Sequence, residues 1–268
     1  MFLGGLSVAF SLGSPNRLTT GAIIKPVAAL HVSIVGHVKH PSVSTQIAAL
    51  RSLLLGRGEG DVGAYFNRAA KGGIPLVVDT ENADVIATLL SLKEEVEGTV
   101  DGSFIRLVIA GGAEAHLLAK ELGEAHVGVI FTRPRAFPAT WGCEFLRYRP
   151  RNPHEQTLGS EPGLPLSKDT AFTTLLKHNV TIGFGIEEAW EGRNQRFELA
   201  WAVINADGLI SHNEAIAIGS TNLEKLLGLE LKTQGDLVAY RGGEIFEMTS
   251  KAVAVISESR AHVDLFFP

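Results

Sequence analysis

A single cysteine, Cys143, in 268 residues excludes an internal disulfide and suits a reducing compartment, so the cytoplasm is the favoured location. No stretch approaches the ~20 apolar residues that a membrane span requires, and no membrane partner is expected. Residues 1–12 (MFLGGLSVAFSL) have the apolar flavour of a signal segment, but they lack a basic start and carry internal glycines. Positive charge is not in excess either. A net charge of -5 and a pI near 6.0 leave no electrostatic footprint for nucleic acid. Charged residues are only 20% against 45% hydrophobic, which excludes a disordered chain. The chain has no G-x-S-x-G elbow for a serine hydrolase, and Gly56, Gly58, Gly60 and Gly63 lack the lysine and Ser/Thr of a phosphate loop, so they predict a flexible turn.

What the chain does have is a rhythm. Residues 74–78 (IPLVV) read as a buried strand, and residues 82–97 then place Val85, Ile86, Leu89, Leu92 and Val96 on one helical face. A strand at 104–109 and a helix at 113–122 follow, with Gly123 as its C-terminal cap. The next strand covers 127–131, and after a helix at 170–177 the theme returns at 180–184 (VTIGF), followed by a long helix over about 187–204. Upstream, 28–35 predicts a strand, and Pro41 and Ser42 open a helix presenting Val43, Ile47, Leu50 and Leu54. Such alternation of strand and helix is the pattern of parallel βα units. Residues 132–168 break it with a long segment rich in proline, glycine and arginine, the kind of loop that serves as a lid or a disordered insert. The chain closes with one helix over 213–227, ended by Gly228, and three short β segments at 236–241, 252–257 and 262–267.

Six strings carry a resemblance. They are SVSTQIAALR (42–51), GGIPLVVDTENADVIATLL (72–90), GGAEAHLLAKELGEAHVGVIFTRPR (111–135), VTIGFGIEEAWEGRNQRFELAWA (180–202), NEAIAIGSTNLEKLLGL (213–229) and GDLVAYRGGEIFEMTSKAVAVI (235–256). In register, they resemble the carboxyl-terminal portion of the amidohydrolase superfamily, closest to its imidazolonepropionase-like members and their relatives among the amino-sugar deacetylases of carbohydrate esterase family 9. The helix STNLEKLLG followed by GDLVAY carries the most weight, because the family has a TxNxAxxLG-like helix before a GDLVV-like strand.

The resemblance implies an α/β fold: a partial (β/α)8 TIM-type barrel over residues 1–230 that lacks its first strands, with residues 231–268 as a β appendage from the family's composite β-sandwich. Five strands are present where closure needs eight, so a homo-oligomer would cover the open edges. It further implies hydrolysis of non-peptide C–N bonds in a small-molecule substrate by a divalent metal such as zinc. The family's ligands are an H-x-H pair on the first strand, a histidine on each of the fifth and sixth, and an aspartate on the eighth.

Position by position this chain departs from that set. The H-x-H strand would lie upstream of Met1. Where the family reads VHAD the chain reads VDTE, placing Asp79 at the histidine; where it reads HGTEA the chain reads GGAEA, placing Gly111 there; and GTDS becomes GIEE, placing Glu187 at the aspartate. The chain is therefore expected to be truncated and weak or inactive as an enzyme, with its metal unknown; the alternative is a catalytically dead half-barrel serving as a binding or scaffold protein.

Each candidate has a functional and a structural reading. Glu187 is the catalytic candidate, as a general base, or else it and Glu188 are charges favoured at the first turn of a helix. Asp79 is a candidate substrate or cation ligand, or a loop or N-cap aspartate before the helix that starts near Asn82. Arg133, with Arg135, either grips a phosphate or carboxylate of the substrate or solvates the base of the long loop. His31, His37 and His40 form the densest histidine group, but His31 and His37 on one extended strand would stand about 20 Å apart, so exposed strand-end histidines are expected. His116 is expected to be a surface or packing residue, and Cys143 has no histidine partner at a telling spacing.

Overall fold

Runs of Val, Ile and Leu bounded by polar turns form the strands on which everything else is placed. The structure is a computed structural model that describes residues 2–10, 22–36, 41–132, 169–186, 189–229, 236–257 and 261–266. Strands β1 (Leu3–Leu6), β2 (Ala9–Phe10), β3 (Ile23–Lys25) and β4 (Leu30–Ser33) open it, followed by β5 (Leu76–Thr80), β6 (Leu107–Gly111), β7 (Gly128–Phe131) and β8 (Ile182–Phe184). Strands β4 to β8 are the five expected from the sequence, and they lie parallel and in chain order in one sheet. Residues 3–6, within the apolar opening, form β1 and pair antiparallel with β4, giving the order β1-β4-β5-β6-β7-β8 with β1 and β8 at the edges. Strands β2 and β3 form a separate two-stranded ribbon.

Seven of the eight helices described pack on one face of this sheet and the last on the other. They are α1 (Val43–Ser52), α2 (Gly60–Ala70), α3 (Ala83–Thr99), α4 (Ala119–Glu124), α5 (Ala171–Lys177), α6 (Gln195–Asn205), α7 (His212–Ile218) and α8 (Thr221–Leu226). The caps explain the starts. Ser42 Oγ accepts from Thr45 N at 3.2 Å and Asn82 Oδ1 from Val85 N at 3.1 Å, while Thr170 with Thr173 and Ser211 with Glu214 build capping boxes. The main core forms where Val32, Val78, Ile109, Val129 and Phe184 meet Leu50, Phe66, Ile86, Leu89 and Phe172. The opposite face carries a smaller cluster of Ala29, Val77, Val108 and Ile130, closed by Leu226 of α8. Glycine makes that contact possible: a Cβ at Gly128 or Gly183 would collide with Leu226 or Leu223.

Four expectations are corrected. The glycines at 56–63 are not a loose turn, because α2 begins at Gly60 and buries Phe66, Ala69 and Ala70, and the backbones of Gly58 and Gly63 touch. Gly123 does not end its helix. It lies inside α4 because the His178 carbonyl occupies the space its Cβ would need, and the chain leaves through His126 at φ 54. The helix over 187–204 begins as a 3-10 segment, Ala189–Asn194, before α6. The helix over 213–227 is two helices, broken at Gly219 where the Leu199 side chain packs against the backbone. Gly228 does end α8, at φ +66, with Leu229 N donating to Glu224 O at 2.8 Å as in a Schellman turn.

Strands β9 (Leu237–Arg241), β10 (Lys251–Ser257) and β11 (His262–Leu265) form a three-stranded antiparallel sheet of their own. Arg196 of α6 ties it to the helices by donating to the Ser250 carbonyl at 3.2 Å, and His212 Nδ1 stands 2.8 Å from Glu244 Oε2.

Candidate functional site

The C-terminal ends of β4, β5 and β6 bring several polar groups together, at the end where α/β sheets bind their ligands. Asp79, the penultimate residue of β5, is exposed and stands beside Ser33 of β4; Ser33 Oγ donates to Asp79 Oδ2 at 3.0 Å. The Asp79 carbonyl in turn accepts from Ile34 N at 3.0 Å. Asp79 is not a helix cap, since Asn82 holds that place in α3, so the structural reading of Asp79 is corrected. Beyond β4, the buried Gln46 of α1 holds the exit loop by donating to the carbonyls of Val35 (2.9 Å) and Pro41 (2.8 Å).

Two glutamates bind the neighbouring loops to each other. Glu81 Oε2 accepts from Ala113 N at 2.7 Å, and Glu114 Oε2 accepts from Ala83 N at 2.7 Å and from Asn82 Nδ2 at 3.2 Å. The backbone adds Gly112 N to Thr80 O at 2.9 Å and Glu114 N to Glu81 O at 3.0 Å. Burial pushes the Glu114 carboxyl above its ordinary value, and the Ala83 N–H opposes that shift. Inside this clasp sits Gly111, at φ +84, with the Glu81 carboxylate over the position where a side chain would begin. Neither glutamate was singled out from the sequence, although each stands in a string that was: Glu81 in VDTE and Glu114 in GGAEA.

The remaining candidates scatter. Glu187, Glu188, Arg133, Arg135, His37, His40 and Cys143 lie outside the described residues. His31 is not an exposed strand-end histidine. In register with Val77 of β5, it stands on the second face of the sheet, its Nε2 is buried without a hydrogen-bond partner, and burial lowers its pKa. His116 is buried, its Nδ1 donating to the Ala113 carbonyl at 3.1 Å, which makes it a packing residue.

A zinc site of the family's kind does not fit these residues. Zinc prefers imidazole or thiolate donors in a convergent set. Among the described residues no three of His, Cys, Asp and Glu converge, Asp79 offers one carboxylate, and the room at position 111 is taken by Glu81. What the arrangement can do is present the Asp79 carboxylate, oriented by a hydroxyl, to a donor group or a proton.

No family model matches the chain. An amidohydrolase of Hapsidospora irregularis, tasK, is 30% identical over 185 residues, covering 62% of this chain and 17% of the relative. The chain thus spans about a sixth of that curated relative's length. In fold it is similar to the crystal structure of an amidohydrolase from Thermotoga maritima MSB8, with a TM-score of 0.68 at 19% identity over 95% of this chain and 67% of that one. An uncharacterized protein of known structure matches with a TM-score of 0.54 at 13% identity, over 90% of this chain and 56% of the other. With the β/α order on the page, the chain is similar to amidohydrolases, in sequence over 185 residues and in fold along nearly its whole length.

Proposed function

We propose that the chain is the carboxyl-terminal part of an amidohydrolase-type enzyme of imidazolonepropionase-like lineage, whose reaction is hydrolysis of non-peptide C–N bonds in a small molecule. In this reading, β4 to β8 are consecutive strands of a partial (β/α)8 barrel over residues 1–230, and residues 231–268 are the remnant of its composite β-sandwich. The observation that carries it is the row of five parallel strands whose C-terminal ends present Asp79 with Ser33 yet hold no convergent set of metal ligands among the described residues. Asp79 and Arg133 are the substrate-binding residues of this reading, and Glu187 takes the sequence position of the family's proton acceptor. A carboxylate base alone contributes about 10²- to 10⁴-fold, far short of what amide hydrolysis demands. Turnover in this chain by itself is therefore at background. A second copy pairing along the β8 edge would cover the side where the barrel does not continue.

The test is an assay of the purified chain on non-peptide amides and acetylated amino sugars, with zinc and with a chelator. The expected rate equals that of buffer in both conditions and is unchanged in Glu187→Gln and Asp79→Asn. Zinc-dependent hydrolysis that Glu187→Gln abolishes would support the hydrolase lineage and overturn the background turnover expected of this chain by itself.

A further inference from the structure

We infer that Glu81 has taken over the room of the absent sixth-strand ligand, so that position 111 is closed to any ligand side chain and a histidine restored there alone would not bind metal. The inference deepens the proposed function and rests on it for the identity of position 111; the geometry stands by itself. A Cβ built on Gly111 would lie 2.5 Å from Glu81 Oε1 and 2.8 Å from its Cδ, closer than real Cβ atoms come, and a tight 3.1 Å from its Oε2. The backbone adds a second obstacle, since φ +84 at Gly111 is a conformation that L side chains rarely adopt.

A glutamate on an exposed loop can often swing aside. Here one contact holds the carboxylate and two more hold the loops around it. Glu81 Oε2 is engaged by Ala113 N at 2.7 Å, the Glu81 carbonyl by Glu114 N at 3.0 Å, and Glu114 returns the contact to Ala83 N at 2.7 Å. Moving the carboxylate leaves the Ala113 N–H without that acceptor and opens one side of a reciprocal clasp between the loops after β5 and β6. Loss of the imidazole at this strand end is thus an exchange. The glycine and the glutamate depend on each other, and neither reverts alone.

A thermal double-mutant cycle tests the dependence on the full chain, without substrate. Gly111→Ala is expected to lower Tm by about 4 °C in the wild type and by about half that in a Glu81→Ala background, where only backbone strain remains. Glu81→Gln, which keeps the shape and the acceptor, should preserve the full shift. Equal shifts in the wild type and in Glu81→Ala overturn the inference. Equilibrium dialysis against zinc adds a second readout: Gly111→His should hold no more metal than wild type, and a stoichiometric gain from that single change would also overturn it. If Gly111→His does not fold, the alanine cycle decides. Because the cycle involves no catalysis, its failure and a failure of the hydrolase reading leave different marks.

Discussion

Asp79 and Gly111 were legible from the sequence because each occupies a position where a recognisable string changes its chemistry, VDTE and GGAEA. Glu81 was not, although it lies in the first of those strings. Its importance comes from a contact across two loops, and one-dimensional spacing carries no information about which carboxylate fills the room above which glycine. His31 shows the opposite failure. Spacing from His37 and His40 drew attention to a histidine group, yet strand parity turns His31 onto the sheet's second face, beside Val77. There, burial holds its pKa below the ordinary 6.5 and its Nε2 has no partner. The unfolded chain binds a proton at this residue more readily than the folded one, so His31 contributes stability above pH 6.5 that is lost as pH falls through its lowered folded value. Urea unfolding of the wild type at pH 8 and pH 5 should show a drop in midpoint that is smaller in His31→Leu. An identical drop in both proteins would assign the acid sensitivity elsewhere.

At the scale of elements, some caps were readable and the breaks were not. Ser42 and Gly228 act where the sequence places them, because a cap is a local matter of one side chain or one left-handed residue, whereas Asn82 takes the capping place offered to Asp79. The split between α7 and α8 and the continuation of α4 through Gly123 are set by distant partners, Leu199 and His178, packed against glycine. Helix α8 matters most among these elements, since it closes the second face of the sheet. Leu226 is buried against Gly128 there, with Ala29, Val77, Val108 and Ile130 in the same cluster. Leu226→Ala should therefore cost about 2–4 kcal/mol of unfolding free energy in urea titrations. A cost below about 0.5 kcal/mol would mean that α8 does not seal this face.

The whole molecule joins a legible order of strands to a set of strand ends that present Asp79, Ser33 and the Glu81–Glu114 clasp. Parallel βα alternation is written in hydrophobic periodicity, so all five parallel strands could be placed in advance; β1 could not, because its two glycines disguise a four-residue edge strand. The 3-10 start before α6 was hidden for a similar reason, since apolar spacing does not separate 3-10 from α-helix over so few residues. Around this scaffold the likeness to amidohydrolases supports the proposed hydrolase lineage, while the described residues at the strand ends hold no convergent metal ligands. Metal content decides between them most directly. After purification from zinc-supplemented medium and dialysis against metal-free buffer, elemental analysis should find less than about 0.1 zinc per chain. One tightly held zinc per chain would contradict the account.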